Sequence, residues 1–297
     1  MGQHRTGSEQ QVESQHLGGS RNVRISLPPG YEKNTRRRYP VLYLHDGQNV
    51  FSGAGPDCCF GWGNWELDLT ATRLAATDKM ADIILVGIDN SRARYSEYRG
   101  PAFRSHDKEA THSTRAGDDS HFHNYSAFLI KELKPFIDRE FRTRPAPEYT
   151  GLMGASLGGI CSLAMAWQHP GVFGLAASLS GSFHIERTYF LHHVLHGYRG
   201  KRKPIRIYLD SGVVDSAGDD DGCEITDALA AELRRSGWKE GKTLLRYLDE
   251  KPMTEAELAI AGLRHDKWHE ATASQHNEFY WRQRIWRPLT FLYPPTK

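Results

Sequence analysis

Short apolar runs rich in branched residues recur along this chain with amphipathic stretches between them, and that alternation restricts the fold more than any other feature. Val41-Leu-Tyr-Leu44 and Asp82-Ile-Ile-Leu-Val-Gly-Ile88 are runs of the kind that fit a sheet covered on both faces. Between them, residues 65–79 carry helical spacing at Leu67, Leu69, Leu74 and Ala75, completing a strand, helix, strand unit. The pattern continues with a helix over 125–141, a strand over 148–153 and a helix over 158–168 stopped by Pro170. Strands follow over 175–179, 205–209 and 243–248, with a helix over 225–235 between the last two and another over 279–291. Strands alternating with helices over the whole length imply an α/β fold, a mostly parallel sheet with helices on both faces.

The first strand expected, at 22–27, stops at Pro28-Pro29-Gly30, and residues 1–19, rich in Gln, Ser, Gly and His, predict a disordered or extended tail. Residues 20–297 are therefore expected to form a single domain. Two stretches exceed what the alternation needs, 90–124 and 251–275, the second holding the capping-box pattern Thr254-Glu-Ala-Glu257. Both are expected as insertions that wall a site at the C-terminal ends of the strands. The later one is suited either to cap a pocket or to pair two subunits as a homodimer.

Composition narrows the partners. Thirty-eight Lys and Arg against 36 Asp and Glu leave +2, so no field draws the protein onto nucleic acid or an acidic membrane. Cys58, Cys59, Cys161 and Cys223 are too irregularly spaced for a disulfide framework or a zinc site. With no apolar leader and no run near the eighteen residues of a membrane span, the sequence as it stands predicts a soluble cytoplasmic protein.

Gly154-Ala-Ser156-Leu-Gly158-Gly159 lies between a predicted strand and a predicted helix, the setting in which G-x-S-x-G forms a nucleophile elbow. Small residues on either side permit the sharp turn, and the helix N-terminus favours developing negative charge. A serine of ordinary acidity needs a base, and His276 follows the last strand and precedes the terminal helix, from where it can reach back to Ser156. The acid should follow the strand at 205–209, where Asp210, Asp215, Asp219, Asp220 and Asp221 all stand; Asp215, in the loop just past Gly212, is the chosen candidate. The Asp219-Asp-Asp221 run also reads as a solvated turn or a cation site lacking most of an EF-hand pattern. Oxyanion donors are expected from the backbone N–H of Leu157 and, in the turn His45-Asp-Gly-Gln-Asn49, of Gln48.

Leu27-Pro-Pro-Gly-Tyr31, the segment Tyr39 to Asn49, Val86-Gly-Ile-Asp-Asn90, Glu97-Tyr98, the segment Glu132 to Asp138, the Ser156 elbow and His276-Asn-Glu278 together resemble the esterase D-like esterase family of α/β hydrolases over roughly residues 20–293. Its members include S-formylglutathione hydrolases, feruloyl and acetylxylan esterases, enterobactin trilactone esterases and mycolyltransferases. The resemblance implies an α/β-hydrolase fold and a serine carboxylic-ester hydrolase that needs no metal or cofactor, with Ser156, Asp215 and His276 on the matching positions. It leaves open the substrate, whether acyl-sugar, aryl ester or siderophore lactone, and whether water or an alcohol resolves the acyl-enzyme. This chain departs from the family in the long segment before His276, and some trilactone esterases work with a Ser–His pair.

Other features weigh less. Trp62, in a loop with Phe60 and Trp65, is a candidate to stack on a substrate ring, and Arg94 and Tyr98 are candidates to contact its polar groups. His265 and His269 have metal-compatible spacing without the H-E-x-x-H glutamate, and His192, His193 and His196 read as a solvated helix face. The rival from another class is a non-catalytic binding protein on a hydrolase scaffold, against which the intact Ser156, His276 and elbow glycines argue.

Overall fold

The computed structural model describes residues 9–101, 120–215, 218–250, 254–261 and 274–295. Eight strands, β1 (Glu9–Ser14), β2 (Gly19–Ser26), β3 (Val41–His45), β4 (Ile84–Ile88), β5 (Thr150–Ala155), β6 (Leu175–Leu179), β7 (Arg206–Ser211) and β8 (Leu244–Leu248), form one sheet ordered β1-β2-β4-β3-β5-β6-β7-β8. β2 runs antiparallel to both β1 and β4, and every other neighbouring pair is parallel. This is the α/β architecture of hydrolases that the alternation and the resemblance led us to expect.

The two-residue period of a strand explains why β3 reads as an unbroken apolar run. Val41 and Tyr43 enter one core while Leu42 and Leu44 enter the other, and all four are buried. The first core is closed by Phe128, Leu163 and Leu229 from the helices Leu157–Gln168 and Cys223–Arg235 and a π-helical stretch, Phe128–Leu133. The second is closed by Leu74 and Leu289 from the helices Leu67–Ala76 and Trp286–Leu292.

Residues 9–14 correct the reading of 1–19 as a tail. Their polar composition hides a strand in which Val12 and Ser14 are buried and the whole segment pairs with β2, covering an edge that would otherwise stand open. The helix expected over 125–141 begins earlier, at Ser120, and the closing helix is two, Glu278–Arg284 and Trp286–Leu292. The Thr254–Glu257 capping box forms, with the Glu257 carboxylate accepting from the Thr254 N–H at 2.9 Å. His265, His269 and most of the polar stretch after 101 lie outside the described residues. The C-terminal ends of β3, β5, β6 and β7 lie side by side in mid-sheet, and their loops build the site.

Candidate active site

β5 delivers Ser156 to the first turn of the helix Leu157–Gln168. Its backbone sits at φ 56°, ψ −125°, a sparsely populated region that costs of order 1–3 kcal/mol and aims the side chain away from the sheet. Small residues permit this turn: a Cβ on Gly154 would stand 2.6 Å from the Gly158 carbonyl carbon. The strand-to-helix turn is held by the Ser156 N–H donating to the Leu179 carbonyl at 2.9 Å. The Ser156 hydroxyl lies 3.1 Å from that of Ser182, in the loop after β6. Leu157 is the first helical residue, and such N–H groups lack an acceptor within their helix.

His276 is brought to the same cavities that Ser156 lines by the return of residues 274–277 over the end of β7. The Ser274 carbonyl accepts from the N–H groups of Val213 and Val214 at 3.1 and 3.3 Å, and a Cβ on Gly212 would meet that carbonyl oxygen at 2.5 Å. Only glycine allows the two segments this close. Asn277 then caps the helix Glu278–Arg284. The imidazole packs edge-on to Trp281, ring centroids 5.0 Å apart.

The carboxylate on His276 belongs to Asp221, not Asp215. Asp221 Oδ1 stands 2.5 Å from His276 Nδ1, and the Asp221 side chain is wholly buried. Its Oδ2 accepts from the Gly212 N–H and the Ser180 hydroxyl, each at 2.6 Å. Asp215 accepts instead from the Asp219 N–H at 2.9 Å, inside a turn whose flanks, Val214 and Asp220, bridge. Chain distance from β7 misled the expectation. The loop goes out through Asp215 and comes back, so Asp221, ten residues beyond Ser211, ends nearer the strand. Asp220 is engaged at the start of the helix Cys223–Arg235, accepting from the N–H groups of Cys223 and Glu224. Asp210 is structural: fully buried, it takes hydrogen bonds from Tyr208 and Arg284, and burial raises its pKa despite the arginine.

The opposite wall is the turn after β3. Asp46 adopts a left-handed conformation (φ 57°) and holds Arg94 through both carboxylate oxygens at 2.7 and 2.8 Å, with Asn90 also donating to it. Gln48 lies in the same turn and accepts the Asn90 N–H through its side chain at 3.1 Å. Arg94 thus reaches the cavity already engaged. Tyr98 does not reach it at all: it is fully buried, its hydroxyl accepts from the Asp46 N–H, and its ring packs on His45 and Tyr125. The expectation that Tyr98 contacts substrate is corrected, since its place on the same short helix as Arg94 turns it inward.

Ser156 and His276 stand where two cavities meet. The larger, about 660 Å³, is lined by Gln48, Phe60, Trp62, Trp65, Trp281 and Glu278 among others, with Phe60 fully exposed at its rim. Burial pushes the Glu278 carboxyl up from its ordinary value. The smaller, about 270 Å³, is lined by Ser180, Ser182, His184, Asp215 and Asp220. Trp62 thus lines the larger cavity. Among the described residues no cluster of three His, Cys, Asp or Glu side chains is set to hold a metal. Sequence reasoning weighed Asp221 but chose Asp215, quoted Glu278 in the His276 motif without giving it a role, and missed Ser180.

A family model described as "Putative esterase" matches residues 14–291. Among curated proteins, the uncharacterized protein YbbA of Bacillus subtilis is 24% identical over 94% of this chain and 95% of its own length. Esterase Rv1288 of Mycobacterium tuberculosis is 30% identical over 59% of this chain, a match that spans only 32% of that longer protein. Among solved structures, a ferulic acid esterase superposes with a TM-score of 0.68 at 16% identity, covering 99% of this chain and all of its own. The ferric enterobactin esterase of Salmonella typhimurium gives 0.67 at 19% identity over 98% of this chain and 59% of its own. At such identities these two likenesses speak for the fold.

Proposed function

The chain belongs to the "Putative esterase" family and is an esterase, and from that premise we propose that it cleaves carboxylic esters through an acyl-enzyme on Ser156, with His276 as base and Asp221 as the acid. The observation that carries this reading is the 2.5 Å contact of Asp221 Oδ1 with His276 Nδ1, made beside a serine on a strained strand-to-helix turn.

A carboxylate on Nδ1 keeps the proton there and leaves Nε2 as the basic nitrogen. Nε2 takes the Ser156 proton as Oγ attacks the ester carbonyl, and the imidazolium formed is stabilised by Asp221. The N–H groups of Leu157 and Gln48 receive the oxyanion; one such donor typically lowers the barrier by about 3–4 kcal/mol. The imidazolium returns its proton to the departing alkoxide. His276 then deprotonates a water, which attacks the acyl-enzyme, and the imidazolium returns that proton to Ser156 Oγ as the acid leaves.

The substrate we infer is a small ester with a ring, aryl or sugar, on one side. Trp62, 46% exposed on the wall of the larger cavity, offers a face on which a ring stacks, and such a contact with an aryl ring is worth about 0.5–1.5 kcal/mol beyond the area buried. The ferulic acid esterase likeness agrees with this but does not carry it.

A fluorophosphonate probe followed by peptide mass analysis tests the assignment. Labelling of Ser156, with Ser156→Ala losing about 10⁶ in turnover of aryl esters and keeping its circular dichroism, is the expected result. A folded wild-type protein that takes no label, or a Ser156→Ala variant with unchanged turnover, overturns it.

A further inference from the structure

Behind Asp221 lies a hydrogen-bonded chain whose polarity can be worked out atom by atom. The Ser180 oxygen receives two donors that can only donate, the Arg284 guanidinium at 2.6 Å and the Trp281 indole N–H at 3.1 Å. Its lone pairs are thereby taken, so its single proton must go to its third neighbour, Asp221 Oδ2, 2.6 Å away. With the Gly212 N–H on the same oxygen, Oδ2 is doubly engaged, and Oδ1 is left to His276. Ser180 is itself held rigidly: its φ is +42°, and its N–H donates to Asp210, which also grips Arg284 at 3.0 Å.

Resting on the Ser156–His276–Asp221 reading, we propose that Ser180 is a positioning residue for the reaction: oriented by Trp281 and Arg284, its hydroxyl locks the Asp221 carboxylate and tempers its charge, so setting the basicity of His276. Arg284 is suited to anchor this. It is buried, bridges Asp210, Asp249 and the Ser274 hydroxyl, and so ties the ends of β6, β7 and β8 to the loop that carries His276. Burial works against its charge, but Asp210, Asp249 and Asp221 together hold its pKa above the ordinary guanidinium value. Trp281 links both ends, with its N–H on Ser180 and its ring against His276.

The direction of the effect follows. Without the Ser180 proton, Asp221 carries more uncompensated charge and stabilises the imidazolium better, so His276 becomes more basic. Besides Asp221, the charged groups facing His276 are Glu278 at the start of the helix that follows it, the Asp46–Arg94 pair across the larger cavity, and Asp215, Asp220 and His184 in the smaller. Arg284, Asp210 and Asp249 lie behind Ser180. Ser180→Ala removes none of these charges, though it takes one acceptor from Arg284 and from Trp281, so the change reports the lost hydroxyl and the bonds it organises.

The experiment is the pH profile of kcat/KM on an aryl ester for wild type, Ser180→Ala, Trp281→Phe and Asp221→Asn. In Ser180→Ala the acid limb should move up by about half to one pH unit, with kcat down about tenfold and KM nearly unchanged. Trp281→Phe keeps a ring beside His276 and removes one donor, and should shift the limb the same way by less. If Ser180→Ala does not fold, Trp281→Phe decides alone. An acid limb at the wild-type position in the folded variants, while Asp221→Asn is crippled, overturns the proposal and leaves the triad standing; full activity in Asp221→Asn overturns the triad and the proposal with it.

Discussion

Two histidines stand beside the elbow helix, each with a carboxylate within reach along the chain, and they meet opposite fates. His45 ends β3, is fully buried, and lies 2.9 Å from the Tyr125 hydroxyl through Nδ1; Nε2 has no hydrogen-bond partner among the described residues. The adjacent Asp46 is turned to Arg94. With no carboxylate of its own, His45 is pulled by burial from 6.5 down to about 4 and stays neutral. His276 is about a quarter exposed, has Asp221 on Nδ1, and lines both cavities with Ser156. What separates the two histidines is thus a carboxylate on one nitrogen and a cavity beside the ring. An Asp paired with a permanent cation makes a wall; an Asp on an imidazole nitrogen fixes the orientation of the ring.

The comparison breaks most visibly at the carboxylates. Asp221→Asn should lose about 10³–10⁴ in kcat because the amide favours the wrong tautomer of His276, whereas Asp215→Asn should stay within about threefold of wild type. Steady-state rates on one aryl ester decide this, and equal losses in the two variants would return the acid to the Asp215 turn.

The next effect belongs to His45 and is read in stability. Below pH 6.5 the unfolded chain binds a proton there, while the folded protein does not until about pH 4, so stability falls as pH drops through that window. The loss is on the order of 3 kcal/mol, and a variant His45→Gln should show a flatter profile of urea midpoints between pH 7 and pH 4.5. An identical slope in the variant would mean that other groups carry the acid sensitivity.

Smallest is the wall opposite. Arg94→Met leaves the buried Asp46 carboxylate with Asn90 as its remaining side-chain donor, and should lower unfolding free energy by about 2 kcal/mol, a figure reduced because Arg94 is itself 31% exposed. As Gln48 shares that turn, kcat/KM should fall about tenfold with the acid limb unmoved. A shifted limb would tie Arg94 to His276 directly and weaken the contrast between the two pairs.

Much of the site was legible because its parts are local. The Ser156 elbow needs small residues within two positions on either side, and His276 needs only to precede the closing helices; both appear as short strings. β1 was not legible, since a strand that covers one edge and buries two side chains can be almost wholly polar. Tyr98 misled because a five-residue helix presents Arg94 to the cavity and Tyr98 to the core, a division that spacing over one turn does not reveal.

By itself, then, the sequence determined the alternation of strands and helices from β2 onward, the turn that carries Ser156 and the place of His276 before the closing helices, since each depends on periodicity or on steric needs of neighbouring residues. Only the tertiary structure decided which of five aspartates serves His276, and that Ser180, Trp281 and Arg284 stand behind it. Those contacts join residues 30 to 104 positions apart, through a loop that doubles back and an arginine that draws three strand ends together. A carboxylate's role is set by what its two oxygens meet in space, and neighbours along the chain carry no record of that.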